Sequence, residues 1–161
     1  MPGVDAHRRG MYTKCVQDSE AAIQWAIDNA IEKGDVVHLL HVIPEPHMLH
    51  IWTGAYIPVD DDQELMEIED TKEFVKHRFA KMLASHKVPF MLHVVVGSLD
   101  NDAIAHVITN KAKDVGAELL IMAKHSKGAF KEFWVGSVTK AVLKQCTVPV
   151  AVVPHDARSG S

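Results

Sequence analysis

Cysteine is scarce in this chain: its 161 residues include only Cys15 and Cys146. Two cysteines cannot supply the disulfide framework of a small secreted domain, and they suit a reducing compartment. Excess basic charge is missing as well. Lys+Arg 17 against Asp+Glu 21 leaves a formal net charge of −4 and a pI near 6.2, whereas a dedicated nucleic-acid binder shows a basic domain. No apolar run approaches the ~18 residues needed to span a bilayer. The opening MPGVDAHRRG lacks the apolar stretch of a secretory signal. These absences predict a cytoplasmic protein with neither a nucleic acid nor a membrane as partner.

Catalytic and metal signatures are equally thin. There is no G-x-S-x-G elbow, Ser19, Ser98 and Ser137 have no evident base partner, and GAFKEF forms no Walker A sequence. No catalytic residue is assigned. The 11 histidines raise the question of a metal. His41, His47 and His50 lie near one another, with Asp60–Asp62 further on, but without the C-x2-C or H-x3-H spacing that fixes tetrahedral geometry, so no metal site is expected. His38 and His93 fall inside apolar runs and read as core or edge residues. Cys146 closes an amphipathic segment and reads as packing.

What the chain does contain is an ordinary globular composition, hydrophobic 47% and charged 24%, at a length that supports one domain with a proper core. Four amphipathic helices follow from apolar spacing. The first carries Ile23, Ala26, Ile27, Ala30 and Ile31, with Ser19 as its expected N-cap and Gly34 as its stop. The second covers roughly Asp62–Ser85, with Leu65, Ile68, Val75, Phe79, Met82 and Leu83 inward. The third places Ile104, Val107, Ile108, Ala112 and Val115 on one face, between Asp100 and Gly116. The fourth starts near Gly136, with Val138, Ala141 and Val142 inward.

Short β-branched runs lie between them: Val36–Ile43, Phe90–Val96, Leu119–Met122 and Val148–Val153. Their near-continuous apolar character is that of strands buried on both faces of a parallel sheet. Strands alternating with helices predict a doubly wound α/β domain. Its first strand is assigned to Gly10–Val16, although Lys14 fits a central strand badly. Pro44–Pro58 reads as a loop in which Trp52, Tyr56 and Ile57 can cover a ligand or partner. The domain is expected over residues 10–154, with tails at 1–9 and 155–161.

The stretch Leu119–Val153 carries the functional argument. Strand, loop and helix N-terminus follow in that order, and unpaired backbone N–H groups with the helix dipole favour an anion there. Lys124, Lys127 and Lys131 flank the loop with His125; they either face solvent or oppose phosphate.

The order of elements, with AIQWAIDNAIEKGDVVHLLHVIPE, VVVGSLDNDAIAHVITNKAKDVGAELLIMAKHSKG and VGSVTKAVLKQCTVPVAVVP, resembles the universal stress protein domain over about Gly10–Pro154. The tryptophan in the first helix and the run beginning at Asp35 look more like the plant or algal members than the bacterial ones. The resemblance implies a five-stranded, doubly wound, Rossmann-like parallel sheet, and a homodimer through Val148–Val153. ATP-binding members of that family carry Gly-x2-Gly-x9-Gly-Ser/Thr, and this chain reads Ala123-x2-Ser126-x9-Gly136-Ser137. Family members that bind ATP also carry an aspartate where this chain has Lys14, with Asp18 the nearest substitute. By the same resemblance adenine would lie beside Val42 and the ribose–phosphates across Met122, Ala123 and Ser126 and along Gly136, Ser137 and Val138. ATP, with Mg, is the implied cofactor of an altered site. The implied role is a stress-response regulator or nucleotide sensor. The alternatives are a non-nucleotide dimeric interaction or chaperone-like protein and a slow ATPase.

Overall fold

The computed structural model describes residues 8–12, 16–44, 49–50, 56–57, 61–98, 100–124 and 135–154. The main sheet contains β1 (Arg8–Tyr12), β2 (Val36–Pro44), β5 (Phe90–Gly97), β6 (Leu120–Ala123) and β7 (Val150–Val153). All its pairings are parallel, and the spatial order is β5-β2-β1-β6-β7. A separate antiparallel pair joins β3 (Leu49–His50) to β4 (Tyr56–Ile57). The segment expected to be a plain loop between Pro44 and Pro58 thus contains a small hairpin.

Helices α1 (Val16–Asn29) and α2 (Asp61–Ser85) pack on one face of the sheet, and α3 (Asn101–Asp114) and α4 (Ser137–Gln145) on the other. Strand alternation divides the core accordingly. Val37, Leu39 and Ile121 join Ile23, Val75, Phe79 and Leu83 on the first face. Leu40, Leu120 and Met122 join Ile108, Val138 and Val142 on the second. Neighbouring residues of one strand serve opposite layers, which explains why the strands read as continuous apolar runs.

Helix ends follow local chemistry where the chain supplies it. Asp100 caps α3, its carboxylate accepting from the N–H groups of Asp102 and Ala103 at 3.1 and 3.0 Å. Gly116, at φ 61, closes the same helix. Its N–H donates to the Lys113 carbonyl and that of Ala117 to the Ala112 carbonyl, the pairing of a Schellman motif. α2 ends on the same pattern, with Lys87 N–H to Ala84 and Val88 N–H to Leu83. There the left-handed position is held by Lys87, at φ 57.

Three expectations near the N-terminus are corrected. β1 occupies Arg8–Tyr12 instead of Gly10–Val16, because its register is set by pairing Arg8–Tyr12 with Val36–Leu40. The described strand ends at Tyr12, and Lys14 lies outside the described residues. Ser19 is not the N-cap of α1: the helix starts at Val16, and Ser19 is buried within its early turns. Gly34 does not stop that helix, which ends at Asn29. At φ 103 it serves the turn into β2, where Asp35 accepts from the Glu32 N–H at 2.9 Å. Smaller shifts occur at β6 and β7, each beginning later than its apolar run, because Pro149 pairs through its carbonyl with Leu120 N–H and only then does the ladder begin.

Candidate functional site

From β1 the chain moves outward to β2 and β5, then crosses back to build β6 and β7 on the other side. The winding direction therefore reverses between β1 and β6. Open α/β sheets bind ligands in the crevice outside the carboxyl ends of the strands at such a switch point. Met122, opposite Tyr12 in register, and Ala123 form the end of β6 at this crevice.

Val42 lies near the carboxyl end of β2, half-buried and in register with Val95. Met122 is 2% exposed, and it shares one apolar cluster with Val138, against which Val42 also packs. Val42, Met122 and Val138 thus all belong to the apolar layer on the α3/α4 face of the sheet. Gly136 and the exposed Ser137 open α4 directly before Val138.

Ala123, where the resemblance implies a glycine, stays in β6 opposite Val153. Among the described residues Lys87 is the non-glycine with positive φ, so Ala123 bears no left-handed strain. The following Lys124 N–H donates to the Val153 carbonyl at 2.7 Å, carrying the sheet pairing past the end of the strand. Ser126, His125, Lys127 and Lys131 lie outside the described residues, as do Lys14, Cys15 and Trp52. So do the side chains of Asp18, Tyr56 and Ile57.

The two helix N-termini on this face differ in charge. α3 is closed by Asp100 and carries Asp102 in its first turn. α4 begins at Gly136 with no side-chain cap and no acidic residue in its first turn, and Lys144 stands in its last. Among the described residues no side chain caps its first-turn N–H groups at the positive end of its dipole. An anion of phosphate type fits that end, with Ser137 beside it to donate a hydroxyl.

Among the described residues no group of three or more His, Cys, Asp or Glu is arranged to hold a metal. Side chains of His50 and Asp60–Asp62, and all of His47, lie outside the described residues. No described helix is long and apolar enough to cross a membrane. The residues that sequence reasoning passed over are structural: Asp35, 1% exposed in the turn before β2, and the Arg78–Glu20 ion pair, 2.9 Å across α2 and α1. The ion pair has no local sequence signal, since it depends on how α1 and α2 meet, whereas Asp35 binds the Glu32 N–H three residues away.

A parallel, doubly wound sheet with helices on both faces and a switch-point crevice defines a Rossmann-like α/β domain. Within that class the chain belongs to the universal stress protein family, whose family model matches residues 13–154. It is 28% identical over 173 aligned residues to universal stress protein PHOS32 of Arabidopsis thaliana, spanning 99% of this chain and 70% of that protein. Among solved structures, hypothetical protein MJ0577 superposes with a TM-score of 0.69 at 26% identity, covering 94% of this chain and 97% of that one. The universal stress protein of Archaeoglobus fulgidus in complex with dAMP gives a TM-score of 0.58 at 16% identity, covering 92% and 98%.

Proposed function

We propose that this chain is a nucleotide-binding regulator of the stress response, taking ATP in the switch-point crevice and responding to its occupancy instead of turning it over rapidly. The observation that carries the reading is the N-terminus of α4 at Gly136, which among the described residues has no side-chain cap and no acidic residue in its first turn. In this reading the phosphates lie on Gly136, Ser137 and Val138, the ribose crosses Met122, Ala123 and Ser126, and adenine rests beside Val42. Magnesium would arrive with the phosphates that it bridges. The strain-free setting of Ala123 supports a retained site, because its methyl group needs no rerouting of the strand end. That a family relative has been solved with dAMP agrees with a purine ligand.

The working unit in this proposal is a cytoplasmic homodimer. β7 pairs with β6 on one edge, and antiparallel pairing with a second β7 would cover its apolar outer edge.

Denaturing the purified protein and assaying the supernatant for nucleotide tests the proposal. ATP or AMP near one per chain supports it. A clean supernatant with no thermal shift in millimolar Mg-ATP refutes it, and leaves the dimeric interaction protein that Lys14 and Ser126 favour. A turnover assay separates a sensor from a slow ATPase.

A further inference from the structure

Two histidines meet on the sheet at a distance from the crevice. In the β2–β5 ladder His38 stands opposite Met91 and Leu40 opposite His93, so both imidazoles project toward the face covered by α3 and α4. His38 is 5% exposed and His93 is half-buried. His38 Nδ1 and His93 Nε2 are 2.9 Å apart. The ring centroids are 5.2 Å apart and the planes 8° from parallel. That centroid distance is about the largest a 2.9 Å contact between ring nitrogens permits, reached only when both nitrogens lie on the line between the centroids. The rings therefore meet edge to edge, in one plane, through an in-line N–H···N bond.

Such a bond holds one proton between two nitrogens, whichever ring donates. A proton added to the pair goes to the far nitrogen of the donating ring, and the bridge survives. A second added proton would set N–H against N–H, and the bridge is lost. The surroundings also oppose charge. Burial first, and then the Lys111 ammonium on α3, push the His93 imidazole below its ordinary value of 6.5. On β1, Gly10 stands opposite His38, and on β5, Met91 does so. Neither is ionisable, so among the described residues Lys111 is the charged group shown to act on the pair.

Among the described residues β5 is an edge strand, paired in the sheet with β2 alone. Met91, beside the pair, is 52% exposed, so α3 leaves this part of the strand open. We propose that the His38–His93 bond is a proton-sensitive clasp that fastens edge strand β5 to the sheet at neutral pH and releases it on acidification. The proposal stands independently of any ligand in the crevice.

The sign follows from the protons bound. In the unfolded chain each imidazole takes up its own proton near 6.5, while the folded pair resists being filled. The folded state thus binds fewer protons, and the contribution of the clasp is complete above 6.5 and declines as pH falls below it. The decline is at most about tenfold in the folding constant per pH unit for each proton withheld.

The test uses the full-length 15N-labelled chain. At about pH 7.5 a scalar coupling across the bond between His38 Nδ1 and His93 Nε2 is expected. It should vanish near pH 5 as amide exchange in Phe90–Gly97 accelerates. In parallel, urea unfolding of the wild type across this range should lose up to about tenfold more per pH unit than His93→Gln, whose amide can keep a hydrogen bond but cannot titrate. An absent coupling at pH 7.5, unchanged β5 exchange at pH 5, or equal pH slopes in wild type and a folded His93→Gln would overturn the clasp. Should His93→Gln not fold, the wild-type coupling and exchange still decide.

Discussion

Replacing Gly136 by aspartate should separate the stability of α4 from ligand binding. Gly136 sits at φ −58 and ψ 156, a conformation open to any residue. A Cβ built there meets nothing within 4 Å among the described residues. Aspartate can therefore enter without displacing a neighbour and accept from the first-turn N–H groups, as Asp100 does on α3 at 3.1 and 3.0 Å. Aspartate caps better than glycine by a few tenths of a kcal/mol, and its charge at the helix N-terminus adds about 0.3–1 kcal/mol. The folded state gains in stability.

A phosphate bound at the same helix end would instead face a carboxylate. At about 4 Å two unit charges repel by about 1 kcal/mol in bulk water and about 4 kcal/mol at an effective dielectric of 20. With about 1.4 kcal/mol per decade, that is a loss of about fivefold to several hundredfold in affinity. Urea unfolding and calorimetric titration with Mg-ATP measure the two quantities on one preparation. Gly136→Asp should be more stable and bind nucleotide more weakly. Gained stability with unchanged affinity would refute a phosphate at α4, and lost stability would refute the capping argument itself.

Other perturbations probe the scaffold. Phe79, 2% exposed at the centre of the α1/α2 layer, should cost about 3–5 kcal/mol on Phe79→Ala, read as a lower urea midpoint at unchanged m-value. Asp100→Ala removes both capping bonds of α3 and should cost about 1 kcal/mol. Lys87→Gly relieves the left-handed residue that closes α2 and should stabilise by about 1 kcal/mol, seen as a raised Tm; an unchanged or lower Tm would contradict that backbone assignment. The Arg78–Glu20 pair, with side chains 37% and 28% exposed, should contribute no more than about 1 kcal/mol in a double-mutant cycle.

Much of the scaffold was legible in the chain because its signals are local. The apolar spacing of α2, α3 and α4 reports a helical face directly, and Asp100 and Gly116 act on backbone groups within a few residues. The β-branched runs from Val36, Phe90 and Val148 announced strands covered on both sides. The candidate site is read from Ala123, Gly136 and Ser137, which the structure places at the end of β6 and the start of α4.

Other features depend on pairing between distant segments, and local chemistry misjudged them. Ser19 has the right side chain for a cap but lies inside α1, because the ladder with β2 ends β1 at Tyr12 and the helix begins at Val16. Gly34 looks like a helix stop and instead turns the chain into β2. Ala123 stands where the resemblance implies a glycine, yet pairing with Val153 keeps it in an extended strand where a methyl group is harmless. His38 and His93 lie far apart along the chain and face one another only because parallel pairing puts Leu40 opposite His93. The sequence by itself determined which segments become helix or strand, through periodicity and capping over a few residues. Tertiary structure alone decided where strands begin, which residues share a face and which polar groups meet, because register is a property of two segments at once.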